Sequence, residues 1–256
     1  GESVRDEFLW PQRLRSMLLA VLTLPLVNAC TQMPAPVAEP TVDRTDRFIL
    51  PNDATSAPWH AINIRFKAPT AYTTDSIAGV PCIRATANAA WSFWAAHVPA
   101  AFARMSNLSW RWFIPAAIPD ADPSAIGKDD APARVVVSFK GDRNKLDAAE
   151  RATMSLARAL GGLELPYAAI QYIWDPKTTP ETILPNANTS RIKKLVVKRG
   201  SEGLADWQSF SRDVRADFRR AFPGEEPGEI EGVGLMTDTD SLGGKAEACY
   251  ADVALR

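Results

Sequence analysis

Hydrophobic and polar residues alternate with period two in several short stretches of the chain, and turn-forming clusters separate those stretches. In "LSWRWFI", Leu108, Trp110, Trp112 and Ile114 fall on one face, while Ser109, Arg111 and Phe113 fall on the other. "ARVVVSF" lines up Val135, Val137 and Phe139 in the same way. Such alternation predicts half-buried strands, and "AINIRF", "YAAIQYIW", "IKKLVVK", "GVGLM" and "CYADVAL" add further candidates. Many short strands in one chain predict a sandwich or barrel.

Two stretches carry helical spacing instead. "DAAERATMSLARAL" places Ala149, Ala152, Leu156 and Leu160 near one helical face. "SRDVRADFRRAF" spaces Val214, Phe218 and Phe222 four apart behind Ser211 as the expected N-cap, and Pro223-Gly224 ends it. The alanine-rich stretch 84–105 mixes helix-favouring composition with the strand-favouring "AWSFW"; a strand is expected there.

The amino-terminal part differs in kind. Arg13 and Arg15 precede an apolar run from Met17 to Val27, too short for the roughly 20 residues that span a bilayer, which reads as a signal-peptide core. The run ends in Val27-Asn28-Ala29-Cys30, similar to a bacterial lipobox despite Asn28. The division expected is a signal peptide over 1–29, a lipidated Cys30 with a proline-rich tether over 30–47, and one β-sandwich domain over 48–256. Thr31, where an aspartate would retain the protein at the inner membrane, points to the periplasmic side of the outer membrane; a soluble periplasmic protein is the alternative.

Charge narrows the partners. Lysine and arginine number 29 against 30 acids, interspersed, for a net charge of -1, and a phosphate-binding surface would need a basic excess or stripe. Nucleic acid is therefore excluded as a partner. With Cys30 lipidated, Cys82 and Cys249 remain as an even pair. They form either a disulfide, which an oxidising compartment permits, or two separately buried thiols, with Cys249 sharing a face with Val253 and Leu255.

The motif order "LSWRWFI", "GKDDAPARVVVSF", "LPYAAIQYIWD", "RIKKLVVKRG", "RDVRADFRRAFPGEEPGEIEGVGLMTDTD" and "YADVAL" resembles the DUF3047 family of bacterial proteins, from about Trp59 to Leu255. That resemblance implies no activity. "YADVAL" is also similar to the closing strand of carbohydrate-binding jelly-roll modules, which implies a sugar ligand by fold analogy alone.

Two acidic clusters are the candidate chemistry. In "GLMTDTDSLGG", Asp238 and Asp240 follow an apolar run. An EF-hand starting at Asp238 would need oxygen ligands where Leu242 and Cys249 stand, so it is excluded. A calcium site built from Asp238, Asp240 and Asp252 stays open, as does the plainer reading in which both aspartates bond backbone amides before the Gly-Gly turn. In "GKDD", Lys128, Asp129 and Asp130 lead into Arg134; with Trp110 and Trp112 they could bind a sugar through charged hydrogen-bonding groups and aromatic faces, or form a self-neutralised loop beside a buried tryptophan pair. Hydrolysis of a glycan would need two carboxyl groups about 5 to 9 Å apart, which Asp129 or Asp130 against Asp238 or Asp240 could supply. His60 and His97 have no zinc-site spacing, and no nucleophile elbow or phosphate loop occurs.

The expectation is thus a mainly β, jelly-roll-type antiparallel sandwich with two inserted helices. Its expected role is that of an exported, lipid-anchored binding protein for an envelope glycan or other carbohydrate, without a cofactor apart from calcium. A glycan hydrolase and a structural cell-envelope lipoprotein are the rivals.

Overall fold

The computed structural model describes residues 47–256, so the apolar run, Cys30 and nearly all of the tether lie outside the described residues. Among the described residues no helix is long and apolar enough to cross a membrane. The chain runs through β1 (Phe48–Ile49), β2 (His60–Asn63), β3 (Ala71–Ile77), β4 (Val80–Asn88), β5 (Ser92–His97), β6 (Asn107–Phe113) and β7 (Ala131–Phe139). Helix α1 (Ala148–Leu156) follows, then β8 (Ala168–Asp175), β9 (Ile183–Pro185), β10 (Ile192–Arg199), β11 (Trp207–Asp213), helix α2 (Val214–Ala221), β12 (Ile230–Asp238) and β13 (Lys245–Leu255).

Eight of these strands form the frame. One sheet orders them β11-β6-β13-β4 and the other β5-β12-β7-β8. In chain order the first frame strand therefore pairs with the eighth, the second with the seventh, the third with the sixth and the fourth with the fifth, which is a long hairpin wrapped into a jelly roll. Strands β3 and β1 extend the first sheet to six, and β2, β10 and β9 extend the second to seven. Pairings between strands are antiparallel except β8 with β10, where the chain crosses over before re-entering the sheet.

The core lies between the sheets, filled by the inward faces that alternation predicts. Leu108, Trp110, Trp112 and Ile114 are buried against Val135, Val137 and Phe139 of the facing sheet. Trp110 packs 5.2 Å from both Tyr172 and Phe210, and Trp112 packs 4.7 Å from Phe210. Truncating such a residue to alanine costs about 3–5 kcal/mol.

Three local expectations are corrected. The ladder between β11 and β6 runs through Asp213 opposite Asn107, so Ser211 is a strand residue, and Asp213 is the N-cap of α2, accepting from the amides of Arg215 and Ala216. In α1 the buried position is Met154, while Ala149 and Ala152 are exposed. Cys249 does not share a face with Val253 and Leu255: β13 carries a bulge at Asp252, whose φ is 55°, and the register shifts between Ala251 and Ala254. That shift puts Cys249 on the outer side, bonded to Cys82 of β4 with Cα atoms 5.7 Å apart.

Candidate functional site

Period two has a second consequence for the seven-stranded sheet. If Val135, Val137 and Phe139 face the core, then Arg134, Val136 and Ser138 face outward. The same parity turns Phe93, Ala95 and His97 of β5, Gly234 and Met236 of β12, and Ala169 and Gln171 of β8 to that outer face. The face is not bare. The chain after α1 crosses it and reaches the far rim, where the Arg65 amide donates to the Gly161 carbonyl at 3.1 Å.

Beneath this crossing segment lies a groove with two cavities, about 160 Å³ and about 350 Å³. Phe93, Leu163, Leu165, Gln171 and Ile192 line both, which makes the groove continuous. The smaller cavity is walled by half-buried Trp91 and Phe93, whose ring centroids stand 6.3 Å apart, and by Asn186, Asn188 and Thr189 opposite. The wider cavity has a floor of small residues: Ala95, Ala169, Ser138, Gly232 and Gly234. A Cβ at Gly232 would come within 3.2 Å of the Ala96 carbonyl, so the floor stays flat there.

Arg134 organises the charged end of the groove. It is 1% exposed and donates from Nε and Nη2 to the two oxygens of Asp238 at 2.9 and 3.1 Å. Its Nη1 donates to Gln171 Oε1 at 3.1 Å and stands 3.0 Å from Asp129 Oδ1. Asp129 also pairs with Lys194, a fully buried ammonium that donates in addition to the Pro123 carbonyl. Asp130 accepts from the amides of Ser241 and Leu242 at 3.0 and 2.7 Å, which ties the β6–β7 loop to the β12–β13 loop. Asp240 pairs with Lys67 at 3.1 Å.

Crowding and burial shift these groups. Burial pushes the Asp238 carboxyl up to about 7, assisted by Asp129, Asp130 and Asp240 against the pull of Arg134. Burial also raises Asp130. For Lys194 burial favours the neutral amine and lowers its pKa to about 8, although Asp129 opposes this.

The acids expected to converge do converge, with Asp129 and Asp238 on the same guanidinium. Other expected residues do not join them. Trp110 and Trp112 are 1% and 0% exposed; their alternation with Leu108 and Ile114 sends them into the core, and no ring face is open to stack on a sugar. Lys128 is exposed, and its carbonyl serves the loop by accepting from Asp122 and Asp130 amides. Asp252 belongs to the other sheet, where the bulge directs its carboxylate to Arg111 and Asn52, so it is no partner of Asp238 and Asp240.

Asp130, Asp238 and Asp240 each offer an oxygen within 4.8 Å of the others. Calcium takes about six to eight oxygens, and here the carboxylates already receive three backbone amides, from Ala131, Ser241 and Leu242, together with Arg134 and Lys67. The residues present thus fit a cation poorly; Arg134 and Lys67 supply the counter-charge instead. Sequence reasoning missed Lys194, Gln171, Lys67, Trp91 and Phe93. The signal for Lys194 was two lysines inside the apolar strand "IKKLVVK".

Solved structures with a similar course include the family 11 carbohydrate-binding module from Clostridium thermocellum in complex with a β-1,3-1,4-mixed-linked tetrasaccharide. It shows 9% identity and a TM-score of 0.41, covering 82% of this chain and 94% of that one. The xyloglucanase domain of NopAA from Sinorhizobium fredii, in complex with cellobiose, shows 8% identity and a TM-score of 0.40, covering 78% and 98% respectively. At such levels neither ligand nor residue role carries across. No functionally curated protein shows significant similarity to the sequence. Residues 57–254 match the model of DUF3047, described as a protein of unknown function, and the chain belongs to that family.

Proposed function

We propose that the protein binds a carbohydrate chain in the groove on the outer face of its seven-stranded sheet. The observation that carries this reading is the pairing of two half-buried aromatic rings, Trp91 and Phe93, with a convergent set of polar groups across the same cavity: Arg134, Asp129, Gln171, Asn186, Asn188 and Thr189. An apolar wall with a few well-placed polar groups is the usual make-up of a small-molecule site. Aromatic faces suit the C–H side of a sugar ring, and amides and charged groups suit its hydroxyls. Both oxygens of Asp238 are held by Arg134, which favours a fixed scaffold over proton transfer, and so favours a binder over a hydrolase.

Export and lipidation belong to the same proposal. Their support is the Arg13, Arg15 and Met17–Val27 pattern ahead of Val27-Asn28-Ala29-Cys30, together with a buried cystine of the kind that an oxidising compartment maintains. The expected site is the periplasmic side of the outer membrane.

Isothermal titration against a panel of soluble glucans, xylans and peptidoglycan fragments tests the groove. Saturable binding should weaken about tenfold or more on Trp91→Ala, a loss of about 1.4 kcal/mol, while the melting temperature stays close to the parent. Absence of binding to every saccharide, or equal affinity in Trp91→Ala, sinks the reading. Labelling with a fatty-acid analogue, lost in Cys30→Ala, tests the anchor.

A further inference from the structure

The chain has two histidines, His60 and His97, and nothing in the sequence connects them. The fold sets them side by side. His60 of β2 is registered with Ala95 of β5, so His97 is its diagonal neighbour on the same sheet face, a spacing across which long side chains touch. The two rings have centroids 5.8 Å apart and planes 23° from parallel. Both side chains are exposed, and both line the wider cavity of the groove together with Glu231 and Ser138. The residue across from His97 on its other flank is Gly232. His60 Nδ1 lies 3.4 Å from the Pro58 carbonyl, which turns that nitrogen to the backbone and leaves Nε2 as the outward one.

We propose that His60 and His97 form a two-histidine site for a divalent transition metal of the zinc or copper class, with its remaining coordination positions open to the wider cavity. Imidazole is a preferred ligand of these metals, and few other side chains on this face suit them. The spacing agrees. With zinc about 2.0–2.1 Å from each nitrogen, the metal stands roughly 3.2 Å from each ring centre, and a tetrahedral angle then separates the centres by roughly 5.2 Å. The observed centroid separation is 5.8 Å with the rings stacked, so binding requires both exposed side chains to turn until one in-plane nitrogen of each points at the same metal. Two protein ligands leave positions for water or for an oxygen donor held in the groove. This site does not depend on the carbohydrate reading, because the metal alone is the probe.

The experiment uses the full chain purified without a polyhistidine tag. Zinc is titrated by calorimetry, and copper(II) is added for electron paramagnetic resonance. The expected result is one site per chain and a copper spectrum with coupling to two nitrogens. His60→Ala and His97→Ala should each weaken zinc by about 10- to 100-fold, at least what the loss of an outer-shell partner costs at metal sites, and the double substitution should abolish the copper signal. Since both rings are exposed, unchanged melting curves verify the fold of each variant; His60→Gln and His97→Gln serve as milder replacements. No zinc binding by the parent, undiminished binding in the double variant, or loss of binding in Asp240→Asn instead would each overturn the proposal, the last by moving the metal to the acid cluster.

Discussion

Two arginines, one buried and one at the rim of the core, hold this sandwich together in different ways. Arg134 lies under the groove among Asp129, Asp130, Asp238 and Asp240, with Lys194 and Lys67 as the other cations. Arg212 lies where α2 meets the sheets, among Asp217 and Glu181, with Arg220 as the second cation. Around Arg212 the charges balance two against two, and Glu181 is held below its ordinary value by its hydrogen bonds to Arg212. Around Arg134 acids outnumber bases, and burial, with the neighbouring acids adding to it, drives the Asp238 carboxyl up instead. A balanced network at the rim of the core stabilises and does little else. An unbalanced one, desolvated beneath a cavity, keeps charged groups facing a place where a ligand can sit, and this is where perturbed groups are expected at functional sites.

The largest test of that difference is removal of each arginine. Arg134→Met strands Asp238 in a buried site while Asp129 keeps Lys194, and breaking a buried pair by deleting one partner costs about 3–5 kcal/mol. Arg212→Met should cost clearly less, because Arg220 still reaches both Asp217 and Glu181 and because the Arg212 side chain is 18% exposed against 2% for Arg134. Urea unfolding of both variants decides it. Equal losses would remove the distinction between the two networks.

How much of this was legible beforehand follows from what each residue needed. The inward face of β6 and β7 needed only local alternation, and the eight-strand frame followed in class. The gathering of Asp129, Asp130, Asp238 and Asp240 was legible as a possibility, because two acid pairs flank strands that a sandwich brings together. Their counter-charges were not: Lys194 and Gln171 reach Arg134 and Asp129 only through the β7–β8–β10 register, including a parallel crossover. The bulge at Asp252 was illegible for a related reason. One extra residue flips the parity of every later side chain, so Cys249 and Val253 look like neighbours in sequence while facing opposite sides. Asp213 outranked Ser211 as N-cap because the β6 ladder, a non-local feature, set where the strand ended.

A smaller effect separates the networks by sign in pH. For Asp238 the ordinary value is 3.8 and the folded value about 7. Between them the folded chain keeps a proton that the unfolded chain releases, so this contribution is fully present below 3.8 and is lost as pH rises through 7. Asp238→Asn lacks that loss, so its stability relative to the parent should climb from pH 4 to pH 7. Glu181 runs the other way: its value is lowered from 4.5, so its contribution is present above 4.5 and is lost as pH falls. Glu181→Gln should therefore fall behind the parent as pH rises through that region. Unfolding curves at about pH 4.5 and 7.5 for Asp238→Asn, and at about pH 3 and 5.5 for Glu181→Gln, read the two signs, and a shared sign would refute the contrast.

The smallest effect sharpens the boundary of the Arg134 network. Sequence proximity makes Lys128 the natural counter-ion of Asp129 and Asp130, yet its side chain is exposed and only its carbonyl takes part in the loop, while the buried Lys194 meets Asp129 from a strand far along the chain. An exposed charge with no such partner contributes within about 0.5 kcal/mol. Lys128→Ala should thus leave both the unfolding midpoint and any saccharide affinity unchanged, whereas Lys194→Met should alter the unfolding midpoint. If Lys128→Ala destabilised the protein as much as Lys194→Met, the counter-charge would reside in the loop and the network would extend to the surface.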